Sequence, residues 1–143
     1  MYVETRRKSL RIMPDDIDVE IDDVPIEGVE SVRIPALSTE PGELDGFGET
    51  RADDLEIERV LSSSDPDSSL WEWKQAVEEG DDDDGHRQVA VYILDDEGEI
   101  VVLWEFEQAW IKYYGHTELD QDGSGALREQ VSIDFEAMGR ETP

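Results

Sequence analysis

Apolar and polar positions alternate along most of this chain with the period of a strand. Ile17, Val19 and Ile21 are interleaved with Asp18, Glu20 and Asp22, giving one apolar and one acidic face. Val29 to Leu37 reads as a second strand, with Pro35 placing it at an edge or a strand end. Leu55 to Leu61 alternates again as a third. Gln88 to Leu94 and Glu99 to Phe106 form a hairpin across Asp95-Asp96-Glu97-Gly98, and Ala109 to Tyr114 continues it. A last strand spans Ala126 to Met138, and Arg140 to Pro143 reads as a frayed end.

One stretch has helical spacing. Asp65 and Pro66 predict a capped start, Gly80 a stop, and Leu70, Trp73 and Val77 share a face, so a helix is expected over about residues 66–79. Trp71 and Trp73 point about 200° apart on such a helix. Both cannot enter one core, and Trp71 is expected on a rim or against a neighbour.

The central hairpin departs from half-exposed strand patterning. Val89, Val91 and Ile93 point one way and Ala90, Tyr92 and Leu94 the other; the return strand, with Ile100, Val102, Trp104 and Phe106 opposite Val101 and Leu103, is equally apolar. A strand apolar on both faces is covered on both faces. The second cover is either the helix or another copy of the chain. The expected fold is therefore mainly β, a small antiparallel barrel or sandwich flanked by one helix, in one domain over residues 15–139.

Composition narrows the function. The chain has 143 residues and a formal charge of −27, with 39 acidic against 12 basic residues. That surface repels nucleic acid. Eleven aromatic residues and sustained β-branched runs argue against disorder. Acid-rich, lysine-poor composition resembles proteins of extreme halophiles, whose charges are screened within about 3 Å at ~1 M salt. There is no cysteine, hence no disulfide or thiolate chemistry. No signal peptide and no membrane-spanning run is read, so no membrane insertion is expected.

Two segments stand apart. Residues 1–14 hold Arg6, Arg7, Lys8 and Arg11, a basic arm that is either a free tail or a reach onto an acidic neighbouring copy. Residues 38–54 are rich in Gly, Glu and Asp, with Leu44 and Phe47 their large apolar residues. They form either a disordered acidic loop or a segment ordered when copies meet. Asp81 to Asp84 reads as a solvated loop.

Candidate chemistry is sparse. Asp120-Gln121-Asp122-Gly123-Ser124-Gly125 matches the first half of an EF-hand loop, but position twelve is Val131, not a bidentate Glu. Asp120, Asp122 and Ser124 thus form a weak cation candidate at best; the same residues suit a plain turn. His86 and His116 sit in expected loops, no G-x-S-x-G or phosphate-binding Gly loop is present, and no carboxylate pair stands out. Neither an enzyme nor a cofactor is expected.

From about Leu55 to Met138 the order of features resembles the phage tail-tube protein family. The carriers are Arg59 at a strand end, Leu70-Trp71-Glu72-Trp73, Gly80, Tyr92 to Gly98, Trp104-Glu105-Phe106-Glu107-Gln108-Ala109-Trp110, Leu119 and Glu129. The chain departs at Val60, where the family usually has Gly, and at Gln108 and Ile111, where it often has Asn and Pro. The resemblance implies an inner-tube subunit of a contractile phage tail or injection system, similar to the type VI secretion tube protein. It implies hexameric rings stacked around a hollow channel, with sheath and baseplate partners and cargo or DNA passing without specific binding. The setting would be a virion tail or an extracellular or cytoplasmic contractile particle, assembled in the cytoplasm. Subunit contacts are expected at Trp71, Leu44, Phe47, Trp104, Trp110, Tyr113, Arg6 and Arg7. The alternative is a monomeric acidic β-barrel binding module with a weak calcium site in the 120–125 loop.

Overall fold

The computed structural model of the chain describes residues 16–39, 50–61, 67–80, 85–116 and 127–142. β1 (Ile17–Ile21) turns directly into β2 (Val24–Ile26) through Asp22 and Asp23, which both take positive φ, 50° and 66°. Two left-handed residues between paired strands make the turn whose twist matches a hairpin. Asp22 also fastens the turn to the next strand over: its N–H donates to the Gln88 carbonyl at 2.8 Å, and its Oδ1 accepts from the Gln88 N–H at 3.0 Å. β3 (Val29–Arg33) pairs with β6 (Leu55–Val60). Between them β4 (Leu37–Thr39) and β5 (Thr50–Ala52) pair as a separate two-stranded ribbon at the base of the 38–54 segment. The rest of that segment, with Leu44 and Phe47, lies outside the described residues.

The helix α1 (Ser69–Glu78) begins three residues later than expected. Asp65 and Pro66 lie outside the described residues. The N-cap residue, Ser68, makes no side-chain capping bond, and Asp67 before it accepts the Ser69 N–H at 2.9 Å through Oδ1. The end is as expected: Gly80 adopts φ +74° and its N–H donates to the Val77 carbonyl. Leu70 and Trp73 are buried, and the Trp73 indole N–H is satisfied by the Gly85 carbonyl at 2.8 Å.

β7 (Arg87–Leu94) and β8 (Ile100–His116) form the central hairpin. The two runs expected after the turn are one 17-residue strand, β8, which is the spine of the fold. Its first half pairs with β7 on one side and β10 (Ala137–Glu141) on the other; its second half pairs with β9 (Arg128–Asp134). A bulge at Gln108, φ +52°, lets β8 bend from one sheet half to the other without breaking. The expected last strand splits at Phe135 and Glu136, and Arg140 and Glu141 belong to β10 rather than to a frayed end.

The strand order is β2-β1-β7-β8-β9-β6-β3, antiparallel at every pairing, with β10 beside β8. The sheet curls until β1 and β3 come within 8 Å between Cα atoms but do not pair, so the expected barrel stays open. Val19, Val91, Phe106, Ile111, Ile133 and Leu55 fill its interior, and α1 adds Leu70 and Trp73 beside β8. Gly28, φ +79°, sits where the edge crosses over β6; its carbonyl accepts the Val60 N–H at 2.8 Å, and a Cβ there would collide with the Val60 carbonyl.

Candidate assembly surfaces

The core face of the sheet holds one buried ionic network. Arg59 and Glu129 occupy the same period-2 positions as Leu55, Ile57, Val131 and Ile133, so both side chains point inward. They pair through Arg59 Nε and Glu129 Oε1 at 2.8 Å. Arg59 Nη1 donates to Asp67 Oδ2 at 3.1 Å and Nη2 to the Asp67 carbonyl at 2.9 Å. The Tyr114 hydroxyl donates to Glu129 Oε2. Burial, and then this bond to a carboxylate, raise the Tyr114 pKa above its ordinary value. Asp67 shifts the other way. Burial opposes ionisation, but the Ser69 N–H and hydroxyl and the Arg59 guanidinium outweigh it and hold the carboxyl below its usual value. The network ties three strands to the start of α1. Its geometry is that of a brace.

The outer surface is divided. On the β1-β7-β8-β10 half, cross-strand rows run Asp18–Tyr92–Leu103–Glu141 and Glu20–Ala90–Glu105–Gly139. Tyr92, Leu94, Val101 and Leu103 are half-buried there, ringed by carboxylates. The Tyr92 hydroxyl donates to Glu20 Oε1 at 2.8 Å. Desolvation first, then that hydrogen bond, push the Tyr92 pKa up to about 12. On the β3-β6-β9 half the outer rows are hydrophilic and charge-compensated. Arg33 pairs with Glu56 at 3.3 Å and Arg128 with Glu30 at 2.7 Å, while Gln130 donates to Glu58 at 2.8 Å. The bond to Glu30 raises the Arg128 pKa further.

Sheet edges remain open. Among the described residues β2, β3 and β10 each have a strand on one side alone. The second half of β8 has β9 on one side and α1 packed beside it.

The residues expected at subunit contacts are scattered rather than gathered. Trp71 is 46% exposed on the outer side of α1, edge-on to Tyr114 at 5.3 Å between centroids. Tyr113, 55% exposed, lies over Gly115 on the hydrophilic face. Trp110 is half-buried and edge-on to His86 at 5.6 Å. Trp104 faces inward opposite Val91 and packs against the core rim. The stretch from Trp104 to Tyr114 is thus not sheltered within one subunit: Glu107, Gln108, Lys112 and Tyr113 are exposed. Leu44, Phe47, Arg6, Arg7 and the loop with Asp120, Asp122 and Ser124 lie outside the described residues. Asp95, Glu97 and Glu99 bring carboxylates together in the β7–β8 turn, all exposed; Asp95 Oδ1 there accepts the Glu97 and Glu99 N–H groups as an ordinary turn does. No helix is long and apolar enough to cross a membrane among the described residues.

The network and the β10 edge were not singled out as sites from sequence. Arg59 and Glu129 carried a signal, since each breaks an apolar period at an inward position. β10 carried none, because Ala137-Met138-Gly139-Arg140-Glu141 has no β-branched residue.

Comparison with known proteins gives a consistent result. The family model for the T4-like virus tail tube protein gp19 matches residues 18–139. Among solved structures, the fold is similar to the tube-terminating cap of the anti-feeding prophage (TM-score 0.73, 13% identity, 93% of this chain and 92% of that one). It is similar to a chain of the sheath–tube complex of the extracellular contractile injection system PVC in the extended state (TM-score 0.73, 10% identity, 100% and 99%). It is similar also to Hcp1 of Salmonella typhimurium (TM-score 0.64, 18% identity, 89% and 85%). No curated protein matches by sequence.

Proposed function

This chain belongs to the T4-like virus tail tube protein family, and from that premise we propose that its copies close head to tail into hexameric rings that stack around a hollow channel. The protein is a structural subunit of a contractile tube, and its work is mechanical. The observation that carries the ring reading is the unfinished sheet. Among the described residues, β2, β3 and β10 have a strand on one side alone, beside an outer face where Tyr92, Leu94, Val101 and Leu103 are half-covered. Open edges are aggregation hazards unless paired or covered, and a closed ring pairs them.

Trp71, Trp110 and Tyr113 supply aromatic contact area between copies, and Trp104 stiffens the rim behind it. Leu44 and Phe47, in the segment between β4 and β5, are read as contacts with an adjacent copy. Sheath and baseplate components surround the tube, as a sheath does in the PVC sheath–tube complex. An acidic channel repels acidic cargo and lets it slide. Assembly proceeds at molar salt, where the charge of −27 per copy is screened. The particle is a virion tail or an extracellular injection device. Catalysis has no part in this reading, nor does calcium.

Sedimentation velocity at about 2 M KCl tests it. The expected species is many times heavier than the 16.3 kDa subunit. A single subunit at every protein concentration overturns the reading.

A further inference from the structure

We propose that the open edge of β10 is the dock for the basic N-terminal arm of a second copy, which adds to the sheet there as one more strand. The proposal rests on the reading that copies of this chain assemble.

β10 pairs with β8 alone, so along Ala137–Glu141 one row of backbone N–H and C=O groups faces outward among the described residues. The two faces beside that edge differ. Met138 and Arg140 lie opposite Phe106 and Trp104, and Met138 packs against the core. Ala137 and Gly139 lie on the other face, opposite Glu107 and Glu105, with Glu141 beyond. Because β10 offers only small side chains there, an open trough remains, lined by Glu105, Glu107, Ala137, Met138, Gly139 and Glu141. A Cβ at Gly139 would meet nothing within 4 Å. An added strand with apolar residues on one side and cations on the other fits this edge.

The chain holds such a segment. Residues 1–14 carry four of its 12 basic residues. Over residues 7–12, Leu10 and Ile12 share one set of alternate positions with Lys8, and Arg7, Ser9 and Arg11 take the other. In an extended chain the two sets face opposite ways, with Lys8 at the end of the Leu10 and Ile12 side. Laid along β10, Leu10 and Ile12 meet Met138 and the core rim, while Arg7 and Arg11 meet Glu105, Glu107 and Glu141. Backbone pairing supplies affinity and the charges supply register and orientation.

The donor is a neighbouring copy. The arm's own subunit begins its first strand at Ile17, with β7 and β8 between β1 and β10. The far edge of β10 is four strand spacings from there, about 19 Å. An arm folding back would cross Tyr92 and Leu103 at an angle to the strands, with its backbone groups over an apolar surface and no partners. A copy placed beside β10 delivers its arm along the edge instead.

The chain has no cysteine, so paired substitutions read this contact directly. Ser9→Cys combined with Ala137→Cys, and Ser9→Cys with Gly139→Cys, are oxidised in assembled particles. The expected result is a ladder of covalent multimers on a non-reducing gel from at least one pair. A compact single subunit from both pairs means the arm folds back on its own edge and overturns the proposal. Particles with no cross-link in either pair overturn it as well, while leaving the tube reading intact. A wild-type chain that forms no particles overturns both. Should the cysteine variants fail to fold, charge reversal replaces them. Arg7→Glu with Arg11→Glu, and separately Glu105→Arg with Glu107→Arg, each lower assembly at least about ten-fold, and mixing the two proteins restores it. Assembly unchanged by either reversal, or no recovery on mixing, overturns the proposal.

Discussion

Arg59 and Glu129 stand directly opposite each other on β6 and β9, and their side chains pair at 2.8 Å with 1% and 2% exposure. The same guanidinium holds Asp67 at the entry to α1, and the same carboxylate holds Tyr114 on β8. One ion pair therefore fixes the helix against the half of β8 that, among the described residues, has β9 on one side alone.

Removing one partner strands the other in the core. Glu129→Ala is expected to cost roughly 3 kcal/mol of stability, because the buried Arg59 Nε and the Tyr114 hydroxyl lose their carboxylate and Asp67 alone is left to pair the guanidinium. Replacing both partners, Arg59→Met with Glu129→Leu, is expected to recover most of that loss. Chemical denaturation of the three variants checks it, with the double-mutant cycle giving the coupling.

Gln108 adopts φ +52° in the exposed bulge of β8. A non-glycine residue there costs about 1–2 kcal/mol. Gln108→Gly is expected to stabilise the subunit by about 0.5–1 kcal/mol, glycine's larger chain entropy offsetting part of the relief. Gln108→Asn should do the same to a smaller extent. A rise in the thermal midpoint checks it; a fall would mean that the Gln108 side chain is needed.

Gly28 has the opposite prognosis. Its positive φ and the nearby Val60 carbonyl leave no room for a methyl group. Gly28→Ala should destabilise by more than about 1 kcal/mol, through strain and loss of the Gly28–Val60 bond. Hydrogen exchange at the Val60 amide is the local readout.

Two groups give stability a defined pH dependence. The Asp67 carboxyl is held below its usual 3.8, so its contribution is complete above that value and is lost as pH falls through the lower folded value. The Tyr92 pKa is raised from 10.0 to about 12, so its contribution is complete below pH 10 and disappears between 10 and 12. Denaturation midpoints across pH should slope at both ends. Asp67→Asn should flatten the acid limb, and Tyr92→Phe should lessen the alkaline slope, with Tyr114, whose pKa is raised as well, keeping its share.

Much of this architecture was legible in the chain. Val89, Val91 and Ile93 read as one face of a strand and all three are buried, while the equally apolar opposite face of Ala90, Tyr92 and Leu94 is half-buried, a difference that spacing does not show. The opposed directions of Trp71 and Trp73 separated a half-exposed ring from a buried one. Other features were hidden for physical reasons. Asp22-Asp23 makes a hairpin turn that glycine or asparagine usually signals. Asp67 accepts the first helical N–H and is itself held by Arg59, eight positions upstream, and local sequence does not show such a partner. Gln108 concealed the continuity of β8, because the bulge interrupts the alternation that marks a strand. Arg59 and Glu129 were visible as parts of a family pattern, yet their pairing required the register of β6 on β9.

Cryo-electron microscopy of the purified protein in about 2 M KCl, where charge repulsion is screened to a few ångströms, tests the central claim most directly. The account predicts hollow tubes built from stacked six-fold rings, with the sheet edges of each subunit paired to its neighbours. A field of separate subunits, their β10 edges bare at every protein concentration, would contradict it.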